Sequence, residues 1–451
     1  MSCLKPAIAV VLAGALTSGC GGYAPLPLDG SRADAVLSAP DRRMLEQQAT
    51  QLHHPRIAPI TLDFSRPLTG DELAVIAVLV NPDLKALRAK EGVAEAQVFD
   101  AGLLPDPQLA LGLDFPTSSQ PDLVNAYNLG LTWDILGLVT RRATRRVAQA
   151  RQVQVRNDIA WSEWMTANQA RLLARRVVYL GAQQDLAQSA AETASRLLDI
   201  SKRNLERHDI KIDEFALREV AYLDALDKAL ALSRELEKAR QDLNKDLGLL
   251  PSERVSIALE RTPDETSLDT QALFDIARNQ RLDLIALRAG YQAEENQLQR
   301  DLLARFPQIN LGLQRARDTG NVTTLGFSIG ITLPIFNGGR GTIAISRATR
   351  EQLRAEYVAR LYQTRSDIAT LVADLERIDR ELEPLVSQLA TLQHAEETMR
   401  RGVASGDVTL INYETVRANL LDKQLKLSSL EQARAEQQVA LQLATGAPWH
   451  T

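Results

Sequence analysis

"LGLTWDI" at 129–135 and "IGITLPI" at 329–335 are one stretch written twice, 200 residues apart. In the first copy Tyr127, Leu129, Leu131, Trp133 and Ile135 alternate with Asn128, Gly130, Thr132 and Asp134. In the second, Leu325, Phe327, Ile329, Ile331, Leu333 and Ile335 alternate with Gly326, Ser328, Gly330, Thr332 and Pro334. Side chains along a strand point to opposite faces with period two, so both stretches read as half-buried strands, about 127–135 and 325–335. "PQLALGL" at 107–113 and "PQINLGL" at 307–313 repeat the pattern and predict strands at about 107–114 and 307–314. The second face carries mostly Gly, Ser, Thr, Asn and Gln, where a soluble sheet usually carries Lys and Glu. That suits a water-filled lumen, and the lengths approach the ~9–11 residues of a transmembrane strand. From the strands alone, a soluble sheet and a barrel wall stay equally open.

The duplication extends well beyond the strands. "PDLKALRA" at 82–89 matches "LDLIALRA" at 282–289. Further on the shift becomes 198: "HDIKIDEF" at 208–215 falls on "GDVTLINY" at 406–413, and Leu247-Gly248 on Thr445-Gly446. The first repeat spans 71–250, with a leading helix, two strands, a long helix over 141–207 and a return helix over 213–248. The second spans 271–446, with the same plan, a long helix over 341–403 and a return helix over 410–445. A connector at 251–270 joins them, and 447–451 is a tail.

Between Arg141 and Arg207 there is no Pro and one Gly, Gly181. At ~1.5 Å per residue such a helix is on the order of 100 Å long. Met165, Leu172, Tyr179, Leu186, Thr193 and Ile200 recur every seven residues, as do Tyr357, Thr364, Leu371, Ile378, Leu385, Leu392 and Met399. Sustained heptads predict coiled-coil packing. Pro384 lacks an N–H and is expected to kink the second long helix or begin a new segment.

Composition excludes several classes. The net charge of −5 gives no reason to expect nucleic acid as a partner. Aromatics at 4% amid abundant Ala, Leu, Gln, Arg and Glu fit long helices. No run after residue 20 approaches a transmembrane helix, so any membrane-spanning part must be β.

Residues 1–19 have a basic start and a short apolar run, the pattern of a secretory signal. Leu16-Thr17-Ser18-Gly19-Cys20 resembles the lipobox of bacterial lipoproteins. That resemblance implies cleavage before Cys20 and a covalent lipid on it, with 20–70 as a lipidated N-terminal segment. Gly21, where an Asp would imply inner-membrane retention, points to the outer membrane. The mature chain would then hold one cysteine, already acylated, and no disulfide.

Chemistry is not legible elsewhere. "NGGRG" at 337–341 follows a strand and precedes a helix but lacks the Lys-Ser/Thr of a phosphate loop, so it reads as a joint. The five histidines form no metal or nucleophile constellation, and His53-His54 reads as a surface pair. No cofactor, metal or enzymatic activity is expected. Arg141, Arg142, Arg145 and Arg146 cluster at a helix start, which the macrodipole disfavours. Lipid phosphates or neighbouring carboxylates would compensate equally well.

The duplication, the "LTWDILG" and "ITLPIFNGGRG" strand-to-helix junctions and the "GDVTLINY" turn together resemble the TolC-like outer-membrane factors, the exit ducts of tripartite efflux pumps and type I secretion systems. The lipobox resembles that of the lipoprotein branch serving resistance–nodulation–division pumps. The resemblance implies a mainly α fold with a small β part, built from duplicated strand-strand-long-helix halves. Three chains would join a twelve-stranded transmembrane β-barrel to a periplasmic α-helical barrel. It implies a homotrimer in the outer membrane of a Gram-negative bacterium, a periplasmic adaptor and an inner-membrane transporter. The adaptor would dock on the tips Ile210, Lys211, Ile212 and Val408, Thr409, Leu410. Asn128, Gly130, Thr132, Gly326, Ser328 and Gly330 would face the lumen. The aspartate ring of the family's periplasmic entrance falls here on Asn412 and Thr415. Neither is an aspartate, although Glu214 stands at the repeat-related position of Asn412. A passive efflux duct for small toxic compounds such as drugs or metal ions follows. A polypeptide-secretion duct and a periplasmic coiled-coil lipoprotein are the rivals.

Overall fold

The computed structural model describes residues 23–28, 30, 41–118, 122–258 and 269–446. Met1–Pro40 and Asp41–Thr451 form two units. In the first, residues 23–28 have no regular structure and expose Tyr23, Leu26 and Leu28. The signal segment and Cys20 lie outside the described residues.

The second unit begins with α1 (Arg42–Thr50), α2 (Gly70–Val80) and α3 (Pro82–Asp100). α2 starts on a capping box: Glu72 N donates to Thr69 Oγ1 at 3.2 Å and Thr69 N donates to the Glu72 carboxylate at 2.8 Å. Arg66 holds that carboxylate through two hydrogen bonds. α2 is only eleven residues long, and its Leu73–Val78 run centres the main core, with Trp164, Leu243 and Leu247 against it. Among the described residues no helix is long and apolar enough to cross a membrane.

Each repeat then supplies two strands, a long helix and a return helix. The first has β1 (Gln108–Asp114), β2 (Ala126–Asp134), α4 (Ile135–Glu206) and α5 (Ile212–Asp246). The second adds a leading pair, α6 (Thr270–Gln280) and α7 (Leu282–Leu303), then β3 (Gln308–Arg317), β4 (Thr323–Thr332), α8 (Arg340–Ser405) and α9 (Leu410–Thr445). α4 has 72 residues and α8 has 66, so each is on the order of 100 Å long. α5 packs on α4, α9 on α8, and α9 also on α4; α7 packs on both α4 and α8. Arg176 clamps Glu436 with bonds of 2.8 and 2.6 Å, and Gln183 donates to Gln432 at 2.9 Å, joining α4 to α9.

The duplication holds down to single hydrogen bonds. Asn81 donates to Asp246 O at 2.9 Å, and its repeat mate Arg281 donates to Ala444 O at 3.0 Å. Gly248 and Gly446 both end a return helix at positive φ, 59° and 70°. At Gly446 a side chain has no room, since a Cβ would lie 2.8 Å from the Arg281 Cα.

Several sequence expectations change. β2 ends at Asp134 and β4 at Thr332, so Ile135 opens α4, and Leu333 and Ile335 leave the sheet. β3 runs three residues further than the apolar alternation, to Arg317, because its backbone stays paired with β4 and β2. α8 is continuous through Pro384, whose ring is tolerated without ending the helix. The heptad of α8 lies on its packed side: Thr364, Ile378 and Leu385 are buried. In α4 the buried seam instead follows Ala160, Trp164, Ala167, Ala174, Val177, Leu180, Ala187 and Ala191, and Met165 is exposed. His54 is not a surface residue. Its ring is packed between the N-terminal segment and α4, with Nε2 2.9 Å from Ala160 O.

Candidate membrane wall and periplasmic tips

The sheet has the order β1-β2-β3-β4, all antiparallel, with β2–β3 joining the repeats. Register makes it two-faced. One row runs Leu109, Leu131, Leu313, Phe327 and the next Leu111, Leu129, Arg315, Leu325. Trp133, Leu311 and Ile329 continue this face toward the helices. The opposite rows are Ala110, Gly130, Gln314, Gly326 and Gly112, Asn128, Ala316, Thr324, with Gln108, Thr132, Gly312 and Ser328 beside them. All five strand glycines, 112, 130, 312, 326 and 330, lie on this second face. A sheet rolls toward its narrower side chains, so the small polar face is the one that can line the inside of a barrel. Asn128, Gly130, Thr132, Gly326, Ser328 and Gly330 all belong to it.

Among the described residues the large apolar side chains of the other face have little cover; Leu111 is 65% and Phe327 68% exposed. At the helix end of that face Trp133 Nε1 donates to Pro105 O at 2.7 Å, so the polar end of an otherwise apolar ring is satisfied there. β1 and β4 are the outer strands, each with one unpaired edge in the single chain. Just past β4, Gly338 and Gly339 take positive φ and turn the chain into α8, so "NGGRG" is a strand-to-helix joint. Below the sheet Arg141 Nε donates to Gly102 O, while Arg142 and Arg145 are exposed.

At the far end of the long helices two turns stand side by side. In the first, His208 occupies the left-handed region at φ 66° and Asp209 N donates to Asn204 O. In the second, Gly406 does the same at φ 85° and Asp407 N donates to Gly402 O. Tip exposure is uneven. Ile212, Lys211 and Thr409 are exposed, whereas Ile210, Val408 and Leu410 are half-buried. Val408 packs over Gly402 and Thr409 caps α9 through Asn412 N, so both also serve the turn itself. Ile411, exposed and beside Leu410, joins Ile212 as an outward apolar group that the sequence pattern did not single out. A cleft of about 190 Å³ between the turns is lined by Leu197, Ile200, Ile210, Glu214, Leu410 and Ile411.

Glu214, Asn412 and Thr415 are exposed near this end, on α5 and α9. Above them lies a larger cavity, about 470 Å³, between α4, α5 and α9. Arg218, Glu414 and Arg417 border it, and Lys228 spans it to Asp422 at 3.3 Å. Burial raises the Glu414 carboxyl above its usual range, against the pull of Arg417, Arg196 and Arg218. This charge cluster comes from three helices, so no local spacing announces it. Among the described residues no three His, Cys, Asp or Glu side chains gather to hold a metal ion.

Solved structures share this architecture. The Campylobacter jejuni CmeC outer membrane channel superposes with a TM-score of 0.70 at 14% identity, covering 84% of this chain and 85% of that one. The Vibrio cholerae outer membrane protein VceC gives 0.67 at 17% identity, covering 84% and 97%. The open state of the Neisseria gonorrhoeae MtrE outer membrane channel gives 0.67 at 15% identity, covering 88% and 97%. No curated protein matches the chain in sequence. Duplicated strand-strand-long-helix halves of this kind are the TolC-like outer-membrane channel fold, and this chain has it. The second repeat is more specific: residues 273–447 match the family model described as outer membrane efflux protein.

Proposed function

We propose that three copies of this chain form the outer-membrane exit duct of a tripartite efflux system, passing small toxic compounds such as drugs or metal ions outward without bond chemistry. The observation that carries this reading is the sheet: one apolar face, one narrow polar face, and two unpaired edges. An unsatisfied backbone N–H or C=O in hydrocarbon costs several kcal/mol, so a lone four-stranded sheet is not a viable membrane wall. Closing β1 of one copy on β4 of the next removes every edge, and four strands per chain become twelve in the trimer.

The long helices then continue the wall through the periplasm to the paired turns, where a periplasmic adaptor docks. An inner-membrane transporter of the resistance–nodulation–division type supplies the energy. A lipid on Cys20 tethers the N-terminal segment to the inner leaflet of the outer membrane. The short outer connections, such as residues 318–322 between β3 and β4, favour small-molecule efflux over polypeptide secretion. A tether with no channel would leave the apolar face in water, an exposed patch that soluble proteins avoid.

Disulfide scanning tests the closure. Ala110→Cys on β1 is combined in turn with Cys at Thr324, Gly326, Ser328 or Gly330 on β4, all on the narrow face. Covalent trimers at one register, and only monomers at its neighbours, are expected. Monomers at every register would refute barrel closure.

A further inference from the structure

The outer end of the apolar face is cationic. β3 continues Ile309, Leu311 and Leu313 on that face with Arg315 and Arg317. Arg315 lies between Leu129 and Leu325 in the register, and Arg317 between Tyr127 and Thr323. Arg317 is built in: its Cζ sits 5.2 Å over the Tyr127 ring and its Nη2 donates to Asn125 O at 2.8 Å. Its Nε is buried with no hydrogen-bond partner. Arg315 is exposed, and among the described residues it has no carboxylate partner. Among the described residues the acids of this end pair with neither guanidinium, and Asp122, at φ 81°, lies in the β1–β2 connection. Asp114 is on the opposite face and in register with Ala126, and Asp318 accepts from Val322 N in the β3–β4 connection.

Two guanidinium groups on a lipid-facing surface, at the end remote from the helices, need an anion at that depth. In hydrocarbon the charged heads would be costly, whereas their stems can lie along the apolar neighbours while the heads reach the headgroup level. Arginine matches phosphate through forked charge-assisted hydrogen bonds. We propose that Arg315 and Arg317 form a binding site for the phosphate groups of outer-leaflet lipid, repeated three times around the barrel. The Tyr127 ring supports the Arg317 guanidinium from beneath, and the Leu129 and Leu325 side chains meet the acyl chains beside the Arg315 head. This inference rests on the barrel reading above.

The test uses the full-length trimer refolded into phosphatidylcholine vesicles, with bisphosphorylated lipid A or its dephosphorylated form added. Bromine on the acyl chains reports insertion by quenching Trp133, and native mass spectrometry of extracted trimers counts bound lipid A. A basic residue near an anionic lipid surface contributes about fivefold in affinity. Arg315→Gln should weaken retention of bisphosphorylated lipid A about fivefold, and Arg315→Gln with Arg317→Gln about thirtyfold. Arg315→Lys should restore most of it, and Arg354→Gln on α8, an exposed arginine away from the sheet, should change nothing. Equal retention by wild type and Arg315→Gln, or equal retention of the dephosphorylated lipid, overturns the site. Wild type that shows no Trp133 quenching overturns the barrel reading and this site with it. Quenching without selectivity overturns the site alone.

Discussion

Leu131 and Gly130 are neighbours in sequence and opposites in consequence. Leu131 sits in the middle of the apolar face, between Leu109 and Leu313 with Phe327 beyond. An arginine there would point into hydrocarbon, at a cost of roughly 2–4 kcal/mol per chain near the midplane. In a trimer the substitution is present three times, so the assembly would lose roughly 6–12 kcal/mol, comparable to the whole folding stability of an ordinary domain. Gly130 is on the narrow face between Ala110 and Gln314, where a new Cβ meets only Ala110 Cβ at 3.9 Å. Gly130→Arg therefore keeps its charge in lumen water and should leave assembly intact. The assay is the yield of SDS-resistant trimer in outer membranes, with refolding into lipid vesicles across a urea series as the quantitative arm. Leu131→Arg should lose the trimer and Gly130→Arg should retain it with altered conductance. Equal defects in both would refute the assignment of faces.

Asp246 closes α5 with an orphan Oδ2, and burial pushes its carboxyl up to about 7. Because the folded value lies above the unfolded one, stability falls as pH rises from about 4 to about 7; Asp246→Asn should remove that slope and stabilise the protein at neutral pH by up to about 4 kcal/mol, read as Tm against pH. Burial holds the His54 imidazole below its usual value, outweighing the Ala160 carbonyl and Glu163. The unfolded chain thus takes the proton first, so stability present above about pH 6.5 should be lost as pH falls below it, and a thermal scan of His54→Gln should show a shallower acid limb. At the tips, Ile212→Asp with Ile411→Asp should leave trimer levels unchanged but abolish adaptor crosslinking and efflux, since both side chains are exposed; retained crosslinking would discard the docking surface. Cys20→Ser should abolish labelling by radioactive palmitate, and undiminished incorporation would exclude Cys20 as the acylated residue.

Period-two alternation and the 200-residue repeat make the strands and the two halves readable, while the channel fold follows from the resemblance of the strand-to-helix junctions and the second tip turn to the TolC-like factors. The apolar alternation of β3 ends at 314 because Arg315 and Arg317 interrupt its odd positions, yet pairing to β2 and β4 carries the strand on. The α4 seam does not coincide with the heptad because it is built largely of alanines, whose burial at Ala160, Ala167 and Ala174 leaves little hydropathy signal beside Met165 or Leu172. His54 looked like a surface residue next to His53, since its partners, Ala160 and Glu163, lie more than 100 residues away. The Glu414 cluster was invisible for the same reason, as its arginines come from α4, α5 and α9. The tip turns were legible through Gly406, but which apolar side chains point outward depended on Val408 folding back over Gly402.

Single-channel recording in planar bilayers bears most directly on the duct itself. Purified wild-type trimer should insert and give discrete, long-lived conductance steps, and Gly130→Arg should shift their size while leaving insertion frequency unchanged. Trimer that enters the bilayer and conducts no ions under any adaptor or voltage condition would contradict the account, because the narrow face of the sheet would then enclose no continuous water path.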